Sequence, residues 1–234
     1  QRCVDLTYTF DETTQVGPAN PPFHRDSTER GGKQKEKWYA TGQVALSEHA
    51  GTHMDAPVHF AQGQAGIDGI PVDRLIGPAV VIDVRVAVKE DRDYRVSLSD
   101  IHRWESAHRT IPAGAIVMLL TGWGVYWTDR ERYFGSATPD VPTTLHFPGF
   151  SQEVAEFLVA ERHISGIGID TASIDYGLSQ DFVVHRIVNG AGLYGLENVA
   201  RLDEVPASGA TVMALPMKIA GGTGAPVRII AILP

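Results

Sequence analysis

The sequence predicts a mixed α/β or α+β fold in a single domain spanning residues 1–234. Three observations lead there. At 234 residues the chain matches one domain. Its 43% hydrophobic and 21% charged residues are ordinary globular composition. Strand-like segments outnumber helical ones, and only some connections between them carry helical spacing.

The elements follow in order. Residues 4–10, Val4 to Phe10, alternate as a strand does. Residues 17–37 are polar and rich in Pro and Gly, which predicts a long loop or arm; a loop of that length is usually functional or mobile. Residues 40–48 lead into the densest polar cluster. Residues 79–86 form a strong strand. Residues 97–108 have helical spacing through Leu98, Ile101 and Trp104, with Ser97 or Ser99 as the cap. The unbroken apolar run at 115–120 predicts a strand buried on both faces. Residues 151–162 give the clearest helix, with Val154, Phe157 and Leu158 behind a serine. A short strand is expected over 164–170. Strands at 210–219 and 227–233 close the chain, joined by a glycine-rich connector at 221–226.

Charge and composition exclude several functions. A net charge of −8 argues against general nucleic-acid backbone binding, which needs a basic face. No run of about 18 apolar residues exists, so no membrane-spanning helix is expected. The single cysteine, Cys3, excludes an internal disulfide framework and a cysteine-rich zinc module, and fits a reducing, cytoplasmic compartment. The sequence starts at Gln1 rather than Met and lacks a signal-peptide pattern there, which leaves open that a segment has been removed. No Gly-x-Ser-x-Gly elbow, phosphate loop or complete dinucleotide fingerprint is present.

Nine histidines are present, and His49, His53 and His59 fall within eleven residues together with Asp55. All four share parity, so a straight strand points them to one face. Four residues of strand nevertheless span about 13 Å. Two nitrogens on one tetrahedral ion lie only about 3.4 Å apart. A flat strand therefore cannot bring His49 and His53 to one ion, but the chain can fold back at Gly51, where glycine tolerates unusual backbone angles. Pro57 stiffens the exit. Such a loop gathers two histidines and a carboxylate, donors that suit zinc, manganese or iron and leave room for water. Spacing alone does not bring His185 or Glu197 to this cluster. Asp170 and Asp175, at the end of a strand, read equally as site residues or as caps.

Residues 49–60, His-Ala-Gly-Thr-His-Met-Asp-Ala-Pro-Val-His-Phe, resemble the His-x-Gly-Thr-His-x-Asp-x-Pro-x-His signature of the putative cyclase family of metal-dependent hydrolases, which includes bacterial kynurenine formamidase and isatin hydrolase. The resemblance extends through Gly168-Ile169-Asp170-Thr171, Val184-His185-Arg186, Glu197-Asn198 and Gly224-Ala225-Pro226-Val227-Arg228. It implies a swivelling β/β/α fold and a homodimer or homotetramer. It implies His49, His53 and Asp55 as ligands of a divalent metal, Zn or Mn, with His59 moving protons. His185 and Glu197 match a second-metal pair, with Asp55 shared, so one or two ions per subunit are expected. In isatin hydrolases the residue matching Glu197 is not an acid, which tilts this chain towards a two-metal site. The arm at 17–37 departs from the compact formamidases.

The implied reaction is hydrolysis of a small aromatic amide, an aryl formamide or a cyclic amide such as isatin, by metal-activated water. His59 would take the water's proton and return it to the leaving nitrogen. Phe23, Trp38 and Trp123 are the candidate substrate-binding aromatics, and the arm a candidate lid. A lactone or ester hydrolase and a non-catalytic metal-binding protein are the alternatives.

Overall fold

The two continuous apolar runs lie side by side: strand β5 (Ile76–Asp83) pairs in parallel with β7 (Ile116–Leu120). The structure is a computed structural model and describes residues 2–18, 20–29 and 40–234. β7 is followed across the sheet by β9 (Gly166–Ile169) and β10 (Tyr194–Glu197), both parallel to their neighbours. On the other side β5 meets β11 (Thr211–Pro216), which pairs with β12 (Gly224–Ile232), and β4 (His53–Asp55) bridges β12 and β10. Seven strands thereby close into a barrel, and β1 (Cys3–Asp5) pairs with the far end of β12.

Alternation divides β7 between two cores. Ile116, Met118 and Leu120 enter one with side chains from β4, β10, β11 and β12, filling the barrel. Val117 and Leu119 enter the other, which lies under the helices. This is why the run is apolar at every position. Helix α2 (Leu98–His108) begins in a capping box, with Ser97 Oγ accepting the Asp100 N–H and Asp100 Oδ2 accepting the Ser97 N–H at 2.9 Å. Its Trp104 indole N–H donates to the Val81 carbonyl at 2.9 Å, pinning the helix to β5. α4 (Gln152–Arg162) starts at its Ser151 cap as the sequence predicts. No helix of the described residues is long and apolar enough to cross a membrane.

Several elements differ from expectation. The opening strand ends at Asp5, and the Tyr8 N–H turns to Thr52 Oγ1 at 3.0 Å. The strand expected to reach Val86 stops at Asp83, whose carboxylate accepts the Arg85 N–H at 3.0 Å and starts helix α1 (Arg85–Glu90). Within the stretch read as a loop, β2 (His24–Glu29) forms an antiparallel pair with β3 (Ala40–Ala45), whose side chains are all exposed. The connector expected at 221–226 is partly strand, because β12 begins at Gly224 to pair with β4. Five further elements were not anticipated: the pair β6 (Arg95–Val96) and β8 (Gly149–Phe150), the one-turn helix α3 (Arg130–Tyr133), α5 (Val183–Gly190), and β10.

Replacing Ser97 with Ala is expected to lower the unfolding free energy by about 1 kcal/mol through loss of the α2 cap. Urea denaturation reads this directly, and unchanged stability would contradict the cap's role.

Candidate metal centre

The centre is built on the outer face of β4. Met54 is wholly buried in the barrel core, so its neighbours His53 and Asp55 point the other way. On the β10 side, register sets His53 opposite Glu197 and Asp55 opposite Gly195. On the β12 side, Asp55 faces Gly224. That glycine is required: a Cβ there would stand 2.7 Å from the His49 ring. Gly51, at φ +57°, makes the reversal the sequence allows, and its carbonyl accepts His53 Nδ1–H at 2.9 Å. The chain leaves through the single helical turn Pro57–His59. His185 comes from α5 and completes the cluster.

The distances are short. Asp55 Oδ1 lies 2.7 Å from His49 Nδ1 and 3.3 Å from His53 Nε2, and Oδ2 lies 3.2 Å from His185 Nε2. Glu197 offers Oε2 to His53 Nε2 at 3.3 Å and Oε1 to His185 Nε2 at 3.1 Å. His53, Asp55, His185 and Glu197 are all buried, with Asp55 only 1% exposed. Each of three rings is held from behind. His185 Nδ1–H donates to Asp175 Oδ2 at 2.7 Å, and His53 Nδ1–H to Gly51. His49 Nε2 rests 3.0 Å from Thr223 Oγ1, which donates its own proton to Glu48. The His59 ring has no hydrogen-bond partner among the described residues. It stacks on His49 with centroids 4.1 Å apart.

Burial and charge compete over these groups. Burial pushes His53 down, but Asp55 and Glu197 outweigh it and lift the ring to about 10. Burial likewise opposes charge on His185, yet Asp175, Asp55 and Glu197 hold it well above the usual histidine range. Burial disfavours charge on Asp55, but His185, His49 and His53 bring it well below the carboxylate range. Glu197 feels burial and the Asp55 charge, and His185 and His53 still lower it. His59 is different: burial dominates and takes it down to about 4, so its ring is uncharged at neutral pH.

These residues fit a divalent cation. His53 Nε2 is buried without a hydrogen-bond partner and faces two carboxylate oxygens. Three imidazoles and two carboxylates are donors for zinc or manganese. Donor atoms of His53, Asp55 and Glu197 lie within 4.8 Å of one another, as do those of His49, Asp55 and His59.

A cavity of about 300 Å³ opens above the cluster. Phe60, Phe134, Phe147, Tyr176 and Phe182 line it, with Gln15 to Pro18 and Asn20 beside them. Trp123 does not line it. That ring is buried in the helix-side core, donates to the Tyr133 carbonyl at 2.7 Å, and borders a separate, open groove of about 1440 Å³ that none of the cluster residues reaches. Phe23 is buried against Phe10 outside the cavity wall, and Trp38 lies outside the described residues. Phe60, Phe134, Tyr176 and Phe182 were not anticipated as its walls. Of the two strand-end carboxylates, Asp175 supports His185, whereas Asp170 is buried away from the cluster, bound to Thr121 and Gly122.

The family model described as "Putative cyclase" matches residues 4–176. The chain belongs to the putative cyclase family. Within it, the chain is 34% identical over 205 residues to an isatin hydrolase of Roseibium aggregatum, covering 84% of this chain and 76% of that protein. It is 31% identical over 228 residues to a kynurenine formamidase of Salinibacter ruber, covering 97% and 95%. The solved structure of isatin hydrolase A from Labrenzia aggregata, bound to benzyl benzoate, superposes with a TM-score of 0.89 at 34% identity, covering 99% of this chain and 93% of that one. The mixed α/β barrel is therefore the fold of this cyclase family.

A proton on His53, held to about pH 10, has to leave before Nε2 can bind a cation. Cation uptake is expected to release protons and to tighten as pH rises from about 6 to about 8. Calorimetric titration with Mn²⁺ in buffers of different ionisation enthalpy measures both. Uptake that is pH-independent and releases no proton would contradict this electrostatic picture.

Proposed function

We propose that this chain is a metal-dependent amidohydrolase that opens the C–N bond of a small aromatic amide, either a cyclic amide of the isatin type or an aryl formamide. The observation that carries the reading is the pairing of five close-set donor side chains with one histidine whose uncharged ring makes no hydrogen bond, all lining one aromatic-walled cavity. The named relatives, an isatin hydrolase and a kynurenine formamidase, support it.

His49, His53 and Asp55 would hold a divalent cation in one position, and His185 and Glu197, with Asp55 shared, would hold one in a second. Bound there, a divalent cation activates water and polarises a carbonyl oxygen. The protein does the rest. His59 accepts the proton of the attacking water on its free ring nitrogen and returns it to the amide nitrogen as the C–N bond breaks. Water's oxygen ends in the new carboxylate, and the nitrogen leaves as an amine. Phe60 and Phe182, whose ring centroids are 5.2 Å apart with their planes tilted by 37°, flank His185 and form one aromatic wall. The cavity is at the small end of ligand sites, which suits one or two fused rings.

Assays on isatin and N-formylkynurenine, with and without chelator, test the reading. Turnover of one of them, lost on chelation and restored by Zn²⁺ or Mn²⁺, is expected. Cleavage of lactones but of neither amide would replace it with the ester reading. His59→Ala is expected to cut kcat by roughly 10²–10⁴-fold with bound metal near the wild-type level. Loss of metal in that variant would make His59 a ligand.

A further inference from the structure

The side chains expected to hold the second cation position are set by one dipeptide, Ile174-Asp175, on the loop that follows β9. The Ile174 N–H donates to Glu197 Oε1 at 2.9 Å. The Asp175 carboxylate does four things at once. Oδ1 accepts the Val184 N–H at 3.1 Å and the Ser179 hydroxyl at 3.2 Å. Oδ2 accepts the His185 N–H at 3.1 Å and His185 Nδ1–H at 2.7 Å. The residue at the start of α5, Phe182, offers no side-chain cap of its own, so a carboxylate ten residues before His185 both starts the helix and aims its ring.

We propose that Asp175 is a positioning residue: through His185, and with Ile174 holding Glu197, it fixes the second cation position and leaves the His49–His53 position untouched. The proposal rests on the metal reading above. A ligand histidine whose second nitrogen donates to a carboxylate is locked in tautomer and orientation, and losing such a partner typically costs about 10–100-fold in metal affinity.

The dipeptide is itself seated by Gly149 of β8. The Phe150 N–H donates to the Ile174 carbonyl at 2.9 Å, and a Cβ on Gly149 would overlap the backbone of Asp175 and Tyr176. Gly149→Ala therefore displaces the dipeptide from a position that touches no ligand.

The experiment counts Zn²⁺ ions per chain, by elemental analysis after exhaustive dialysis of the full-length chain, for wild type, Asp175→Asn, His185→Gln, the double variant and Gly149→Ala. Melting curves of the chelated proteins report folding separately. Wild type is expected to keep two ions and each variant one, with the double variant also keeping one. Should Asp175→Asn fail to fold, Gly149→Ala carries the same comparison. Two ions retained in Asp175→Asn, or none in the double variant, would overturn the proposal. A wild-type protein holding fewer than two ions would overturn the two-position reading itself, and this proposal with it.

Discussion

Two carboxylates, Asp55 and Glu197, lie side by side on one face of the barrel with almost no access to water. Burying like charges together is costly unless positive charge answers them. Much of the local architecture follows from that need. His53 and His185 stand between the two carboxylates, each within 3.3 Å of both. In the cation-free protein these rings are drawn to the charged form, and a divalent ion supplies the same compensation with two charges at one point. Gly224 and Gly195, opposite Asp55 on the two neighbouring strands, carry no side chain into the space this assembly needs. Barrel closure brings those strands to β4, so fold and site share one geometric origin.

The two ends of the site are held differently. His53 is backed by a neutral backbone carbonyl that also accepts Asn198 Nδ2–H, and Asn198 in turn accepts the Tyr133 hydroxyl. His185 is backed by a carboxylate. A carboxylate partner makes an imidazole a stronger donor than a carbonyl does. His59 is backed by nothing among the described residues, and it is the histidine that burial keeps uncharged. Rings held by hydrogen bonds suit ligation, and a neutral ring with both nitrogens free of hydrogen bonds suits proton transfer.

The sequence displayed the parts of this site that are local. The reversal between His49 and His53 is legible because Gly51 sits between them, and the shared parity of His53 and Asp55 survives as their common face. The buried runs of β5 and β7 and the capped helices α2 and α4 are legible for the same reason. His185 and Glu197 are not placed by spacing, because 130 residues separate His185 from Asp55; the pairing of β10 with β4 brings Glu197 across that gap, and the packing of α5 against the Pro57–His59 turn brings His185. Helix α5 escapes notice because it has eight residues and borrows its cap from Asp175. Strand β2, His-Arg-Asp-Ser-Thr-Glu, carries no apolar alternation and so reads as loop. Aromatic character alone misplaces Trp123, whose indole is committed to the helix-side core, while the cavity walls include Phe60, next to His59 in sequence, and Phe182, three residues before His185.

The account's central claim is that five side chains from three distant segments hold divalent cations about Asp55. Anomalous diffraction from crystals of this chain grown with Mn²⁺ or Zn²⁺ tests it most directly. The account predicts anomalous density bounded by Asp55, Glu197, His49, His53 and His185, with His59 outside the coordination sphere. Absence of density there, or ions bound only elsewhere on the chain, would contradict it.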